Sequence, residues 1–112
     1  MKKYLTICAV IASVFAIQSA LAEGSIEAGK QKSQACAACH GANGISTSSQ
    51  FPILAGQYPD YIARALHEYQ KGDRKNPIMA GMAKPLSDQD IQDLAAYFSS
   101  LPGPLHMLPI KR

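Results

Sequence analysis

"ACAACHG", running from Ala35 to Gly41, sets two cysteines three positions apart and a histidine directly behind the second. On a helical turn, positions three apart share a face, so Cys36 and Cys39 point the same way and His40 follows beside them. Three chemistries use thiols at this spacing. A structural zinc site needs a second ligand pair, but the only other cysteine is Cys8, and His67 and His106 stand unpaired. A dithiol redox centre opens a helix behind a strand, whereas this run closes a helical segment in a chain without period-two alternation. Covalent attachment of haem uses every residue of C-x-x-C-H: two thioethers to the vinyl groups, and the imidazole of His40 on the iron.

Working outward towards the N-terminus, Met1-Lys2-Lys3 is a positive start and Tyr4 to Ile17 an uncharged apolar run, closed by the small-residue segment Gln18 to Ala22. Ala20-Leu21-Ala22 fits a secretory cleavage site, so residues 1–22 read as a cleaved signal peptide and Glu23 as the mature N-terminus. The run is short for a membrane anchor, which takes about 20 apolar residues. Cys8 leaves with the leader, and the two motif cysteines are then the whole thiol inventory. The destination implied is an exported compartment.

The mature segment, 23–112, is a single domain of 90 residues, a size at which an apolar core is marginal and a cofactor helps to complete it. Removing Lys2 and Lys3 from the 11 basic residues leaves nine against eight acidic ones. That near-neutral balance lacks the basic footprint of a nucleic-acid binder, and no second apolar run is long enough to span a membrane.

Three segments carry helical punctuation. The first starts at Ser25, an N-cap, and delivers the chain into the Cys/His cluster. The second runs from Tyr58 to Gly72, with Pro59 at the first position and an apolar stripe at Ile62, Leu66 and Tyr69. The third is capped by Ser87 with Asp90 at the capping-box position. It carries Ile91, Leu94, Ala95 and Phe98 on one face and stops at Pro102-Gly103. The fold class is all-α, with long loops at 41–57 and 72–86 and a short C-terminal tail from about 103. Loops that long in so small a domain are functional or wrapped around something.

What sits opposite His40 decides between electron transfer and chemistry at an open iron. Met79, Met82, His67, His106 and Met107 are the downstream candidates. Met79 and Met82 share the Pro/Gly-shaped stretch Asn76 to Met82, and composition does not separate them. Pro77 fixes its own φ and favours an extended Asn76, which would present Ile78-Met79 as a stiff arm. Gly81 would then turn the chain away, leaving Met82 against the ring or the last helix.

Four blocks in order resemble class I c-type cytochromes, especially single-haem bacterial members and one half of the dihaem cytochromes c-four. They are Cys36 to Gly41, Phe51 to Gln57, Asn76 to Met82 and Leu86 to Leu101. The resemblance implies three to four helices wrapped around one haem c, with His40 and Met79 as axial ligands and Met82 the runner-up. It also implies a backbone carbonyl of Pro52 holding the haem histidine, and a close crossing of the first and last helices at Gly29. Lys32 stands where the family carries an aromatic residue, so crossing contacts fall to Leu94, Tyr97 and Phe98. The function implied is a periplasmic carrier of single electrons and not an enzyme. Its partners would be redox proteins, among them membrane respiratory complexes, with haem-attachment machinery during maturation. The alternatives are an electron-transfer subunit of a larger dehydrogenase or oxidase, and a small haem peroxidase or gas-binding protein.

Overall fold

Helix α1, Ile26–Lys32, begins where Ser25 caps it, the Oγ accepting the Ala28 N–H at 3.2 Å. A 3-10 turn at Ser33–Ala35 leads into α2, Ala37–His40, a single turn that carries the Cys/His motif. The irregular segment 41–57 follows, then α3 (Pro59–Lys71), α4 (Pro77–Ala83) and α5 (Asp88–Ser100). These come from a computed structural model that describes residues 23–105. The expected leader, and the tail residues His106 and Met107, lie outside them.

The caps anticipated from sequence are in place. Pro59 occupies the first turn of α3, and Gly72 ends it in the left-handed region at φ 80°. The Ser87/Asp90 capping box is reciprocal, with Asp90 N–H on Ser87 Oγ at 3.1 Å and Ser87 N–H on Asp90 Oδ2 at 2.9 Å. All described elements are helical, in agreement with the all-α reading. The number differs: five α-helices and one 3-10 turn, not three to four helices. The stretch 72–86 is not a long loop, because Asn76 and Pro77 together start a helix there. Asn76 Oδ1 accepts the Met79 N–H at 3.0 Å, and Pro77 sits where its missing N–H costs nothing.

Helix α5 is the centre of the packing, lying against α1 on one side and α3 on the other, while α4 packs on α3. Ile91 and Leu94 are the largest fully buried side chains. Leu94, Ala95, Tyr97 and Phe98 join Ile62 of α3 in one apolar cluster. The α1/α5 crossing is close because Gly29 is buried there. A Cβ on Gly29 would lie 2.7 Å from the Cβ of Tyr97 and closer still to the Asp93 carbonyl.

The same crossing carries a polar clasp. Asp93 is only 3% exposed. Its carboxylate accepts the Ser25 N–H at 2.8 Å, the Lys32 ammonium at 2.5 Å and the Gln89 amide at 3.1 Å. Lys32 also pairs with Asp90 at 2.9 Å. Tyr97 supplies a contact at the crossing and Leu94, Tyr97 and Phe98 join the core cluster, while Lys32 bridges the two helices through charge.

Candidate cofactor site

The end of α1 aims the chain so that α2 can present three side chains from one turn. The amides of Cys39 and His40 both bond the Cys36 carbonyl, at 3.3 and 3.0 Å. Cys36 and Cys39 are half-buried free thiols. Burial, followed by the neighbouring Cys39, pushes the Cys36 thiol above its usual range, so it stays protonated at neutral pH. Cys36 packs against the α3/α5 core cluster, and Leu54, Ala63, Leu66, Leu86 and Leu101 line the same cluster as partly buried apolar neighbours.

His40 is buried at 6% exposure. Its Nδ1 lies 2.8 Å from the Pro52 carbonyl oxygen. A carbonyl only accepts, so Nδ1 is the donor, which in the neutral ring leaves the lone pair on Nε2. Phe51 holds the ring edge-on at a centroid distance of 6.5 Å. Gly41 ends α2 at φ 85°, where a side chain would strike the Ile45 carbonyl.

The methionines stand together on α4, not on an extended arm. Met79 is half-buried and Met82 is 40% exposed, as is Ile78 at 62%. Of the two places expected for Met82, the ring or the last helix, its exposure speaks against burial on the last helix. Gly81 lies inside α4, facing open space, and does not turn the chain. Met79 and Met82, three apart, are neighbours about 60° from each other around the axis at 3.6 residues per turn, and they differ in exposure. Only one of them rides on the half-buried side. His67, the polar-face histidine of α3, turns its Nδ1 towards Gln70 Oε1 at 3.3 Å and Asp88 at 3.8 Å.

The donor set fits a tetrapyrrole. Two thiols rise from one helical turn beside an apolar wall, and the imidazole between them and Pro52 has its nitrogen roles already assigned. Sequence reasoning missed the Lys32–Asp93 clasp. Its signal was present as Asp90, Asp93 and Tyr97 at i, i+3 and i+7, a second face of α5 beside the apolar one.

A helical domain presenting C-x-x-C-H in this way defines the class of covalent haem carriers. The sequence profile described as Cytochrome c matches residues 26–102, and the chain belongs to the cytochrome c family. Its cofactor is haem c, and Cys36 and Cys39 have the spacing of the attachment motif. Among its relatives is a cytochrome c4 of Pseudomonas aeruginosa, 46% identical over 70% of this chain and 39% of its own length. A thiosulfate dehydrogenase electron acceptor of Thiomonas intermedia is 41% identical over 71% of this chain and 37% of its own. The structure of reduced recombinant cytochrome c4 from Pseudomonas stutzeri superimposes with a TM-score of 0.68 at 45% identity, covering 71% of this chain and 47% of that one. The chain thus spans less than half the length of these relatives.

Proposed function

We propose that this protein is a periplasmic single-electron carrier, with Cys36 and Cys39 holding haem c and His40 and Met79 as the axial pair. Haem c supplies a one-electron ferrous/ferric couple, and a thioether opposite an imidazole favours the reduced form. The observation that carries the reading is the 2.8 Å contact between His40 Nδ1 and the Pro52 carbonyl. It supports ligation through Nε2, because a donating Nδ1–H would fix the plane of the ring and raise its basicity as a ligand. Met79 is favoured over Met82 because its side chain is half-buried on α4 while Met82 is exposed. Filled axial positions leave no room for a substrate, so the chain transfers electrons and does not catalyse a reaction on a bound molecule. Its partners are redox proteins, including membrane respiratory complexes. No helix of the described residues is long and apolar enough to cross a membrane.

The test is carbon monoxide binding to the reduced holoprotein. A His/Met-ligated iron binds it slowly or not at all, with the visible spectrum unchanged on mixing. Rapid, stoichiometric binding would mean an open sixth position and a gas-binding or peroxidase function.

A further inference from the structure

The Pro52 carbonyl that meets His40 lies in an irregular segment with no helix or strand to hold it. The Phe51 amide bonds the Ser48 carbonyl at 3.2 Å on one side of it, and on the other one backbone position gathers two amides. The Gly44 carbonyl accepts two amides at once, from Leu54 at 2.8 Å and from Ala55 at 3.0 Å. The Gly44 amide in turn bonds the Gly41 carbonyl at 3.1 Å, and Gly41 directly follows His40. A ring is thereby closed: His40 to Gly41, across to Gly44, across to Leu54, back two residues to Pro52, and from its carbonyl to His40 Nδ1. The far side is pinned by the Gly56 amide on the Phe98 carbonyl of α5 at 3.0 Å.

Gly44 is buried at φ 69°, in the left-handed region that side chains rarely adopt. A Cβ there would lie 3.1 Å from the Ala55 amide nitrogen and 3.1 Å from Phe98 Cδ1. Both neighbours belong to the frame that carries Pro52, so an added methyl pushes the 54–55 segment outward and the Pro52 carbonyl with it.

We propose that Gly44 is a positioning residue for the haem ligand: through its doubly accepting carbonyl it sets the Pro52 oxygen against His40 Nδ1 and so tunes the couple. This rests on His40 being the axial ligand. Weakening the Nδ1–H···O bond makes the imidazole a poorer donor, which favours ferrous iron and raises the midpoint potential.

The experiment compares holoprotein variants Gly44→Ala and Gly44→Asn with Gly72→Ala. Gly72 has the same kind of backbone, φ 80°, but nothing within 4 Å of an added Cβ, so it reports strain alone. Two readouts are taken, the midpoint potential and the exchange rate of the His40 Nδ1 proton by NMR. The expected result is a potential raised and Nδ1 exchange accelerated tenfold or more in both Gly44 variants, with Gly72→Ala lowering Tm but leaving both readouts alone. Asn tolerates positive φ better than Ala, so Gly44→Asn supplies the test if Gly44→Ala accumulates poorly. Unchanged potential and exchange in a folded Gly44 variant, or an equal shift in Gly72→Ala, would overturn the proposal. If His40 ring signals in the wild-type protein lack the large shifts of an iron ligand, the ligand assignment fails instead, and the two failures are told apart.

Discussion

At the scale of single residues, the site depends on which atoms are left uncommitted. Cys36 and Cys39 have no other bond to make, and His40 has one nitrogen bound and one free. Met79 and Met82 illustrate how little residue type alone decides: both are thioethers in a seven-residue helix, and only their position around it differs. Met79→Ala is expected to abolish the sulfur-to-iron charge-transfer absorption and lower the midpoint potential, since the thioether that favours ferrous iron is gone. Met82→Ala, at an exposed position, should keep that absorption and change stability by no more than about 0.5 kcal/mol. Loss of the band in Met82→Ala with retention in Met79→Ala would exchange their roles. Visible spectroscopy and a redox titration of the two variants decide it.

At the scale of elements, the α1/α5 crossing governs whether the motif is presented at all, because α1 runs through the 3-10 turn into α2. Two devices hold the crossing, a close approach at Gly29 and the carboxylate clasp at Asp93. Gly29→Ala forces the helices apart against Tyr97 and the Asp93 carbonyl, and overpacking of this kind costs about 1–3 kcal/mol. For a domain of this size that is a fall in Tm of roughly 4–8 °C per kcal/mol, readable by thermal melting of the holoprotein. Asp93→Ala leaves the Ser25 amide without its acceptor and the Lys32 charge half-paired, and should cost a similar amount, about 1–3 kcal/mol.

The clasp also gives this crossing a pH window. Burial pushes the Asp93 carboxyl up, but the bonds from Lys32, Ser25 and Gln89 outweigh it and hold it below the ordinary carboxylate range. Asp90 is held low by the Ser87 amide and then by Lys32. Lys32 is raised by its bonds to Asp93 and Asp90. Carboxyls depressed in the folded state contribute stability above about pH 4, their unfolded value, and that stability is lost as pH falls through the folded values. The raised lysine contributes below about pH 10 and is lost as pH rises through its folded value. Denaturant melts of the wild type should therefore weaken below pH 4, and Asp93→Asn should flatten that acid limb. An acid limb of equal steepness in the variant would place the titrating groups elsewhere.

At the scale of the whole molecule, charge is unevenly available to a partner. Asp90 and Asp93 share Lys32 as an internal partner, which offsets one of their two negative charges. Arg74 is engaged with Tyr61, Tyr69 and Glu68, and Lys75 donates to the Gly72 carbonyl at 2.7 Å. Lys71 and Lys84 make no ion pair among the described residues and are exposed. They bracket α4, whose Ile78 and Met82 are exposed and uncharged. Electron transfer to an acidic redox partner should slow as ionic strength rises, and Lys84→Glu should slow it further at low salt. Stopped-flow rates that ignore both changes would remove charge from the docking step. We propose that residues 1–22 are removed as a leader, and N-terminal sequencing of the mature holoprotein checks it: the expected first residue is Glu23, and a retained Met1 would overturn it.

Sequence alone determined the features that follow from local chemistry. The motif Cys36 to His40 names its cofactor because no other use of two thiols and an imidazole accounts for every residue. The caps at Ser25 and Ser87 were legible because an N-cap satisfies an amide within its own turn, a bond made between residues three apart, and Pro59 because its fixed φ suits the first helical position. The helix α4 was missed although Asn76 is such a cap, because the Pro and Gly around the methionines read as loop punctuation. Pro77 at the first helical position and a tolerated interior Gly81 reversed that reading. What only the tertiary structure decided are contacts between residues far apart in the chain. Lys32 meets Asp93 across 61 positions, and a charged pair scattered on two helices looks like solvated surface until the helices cross. The Gly44 carbonyl gathers two amides ten and eleven residues away, and nothing in its own neighbourhood announces them. Local bonds are set by spacing, whereas these depend on where a crossing glycine lets one helix rest on another, and that is a property of the packed chain.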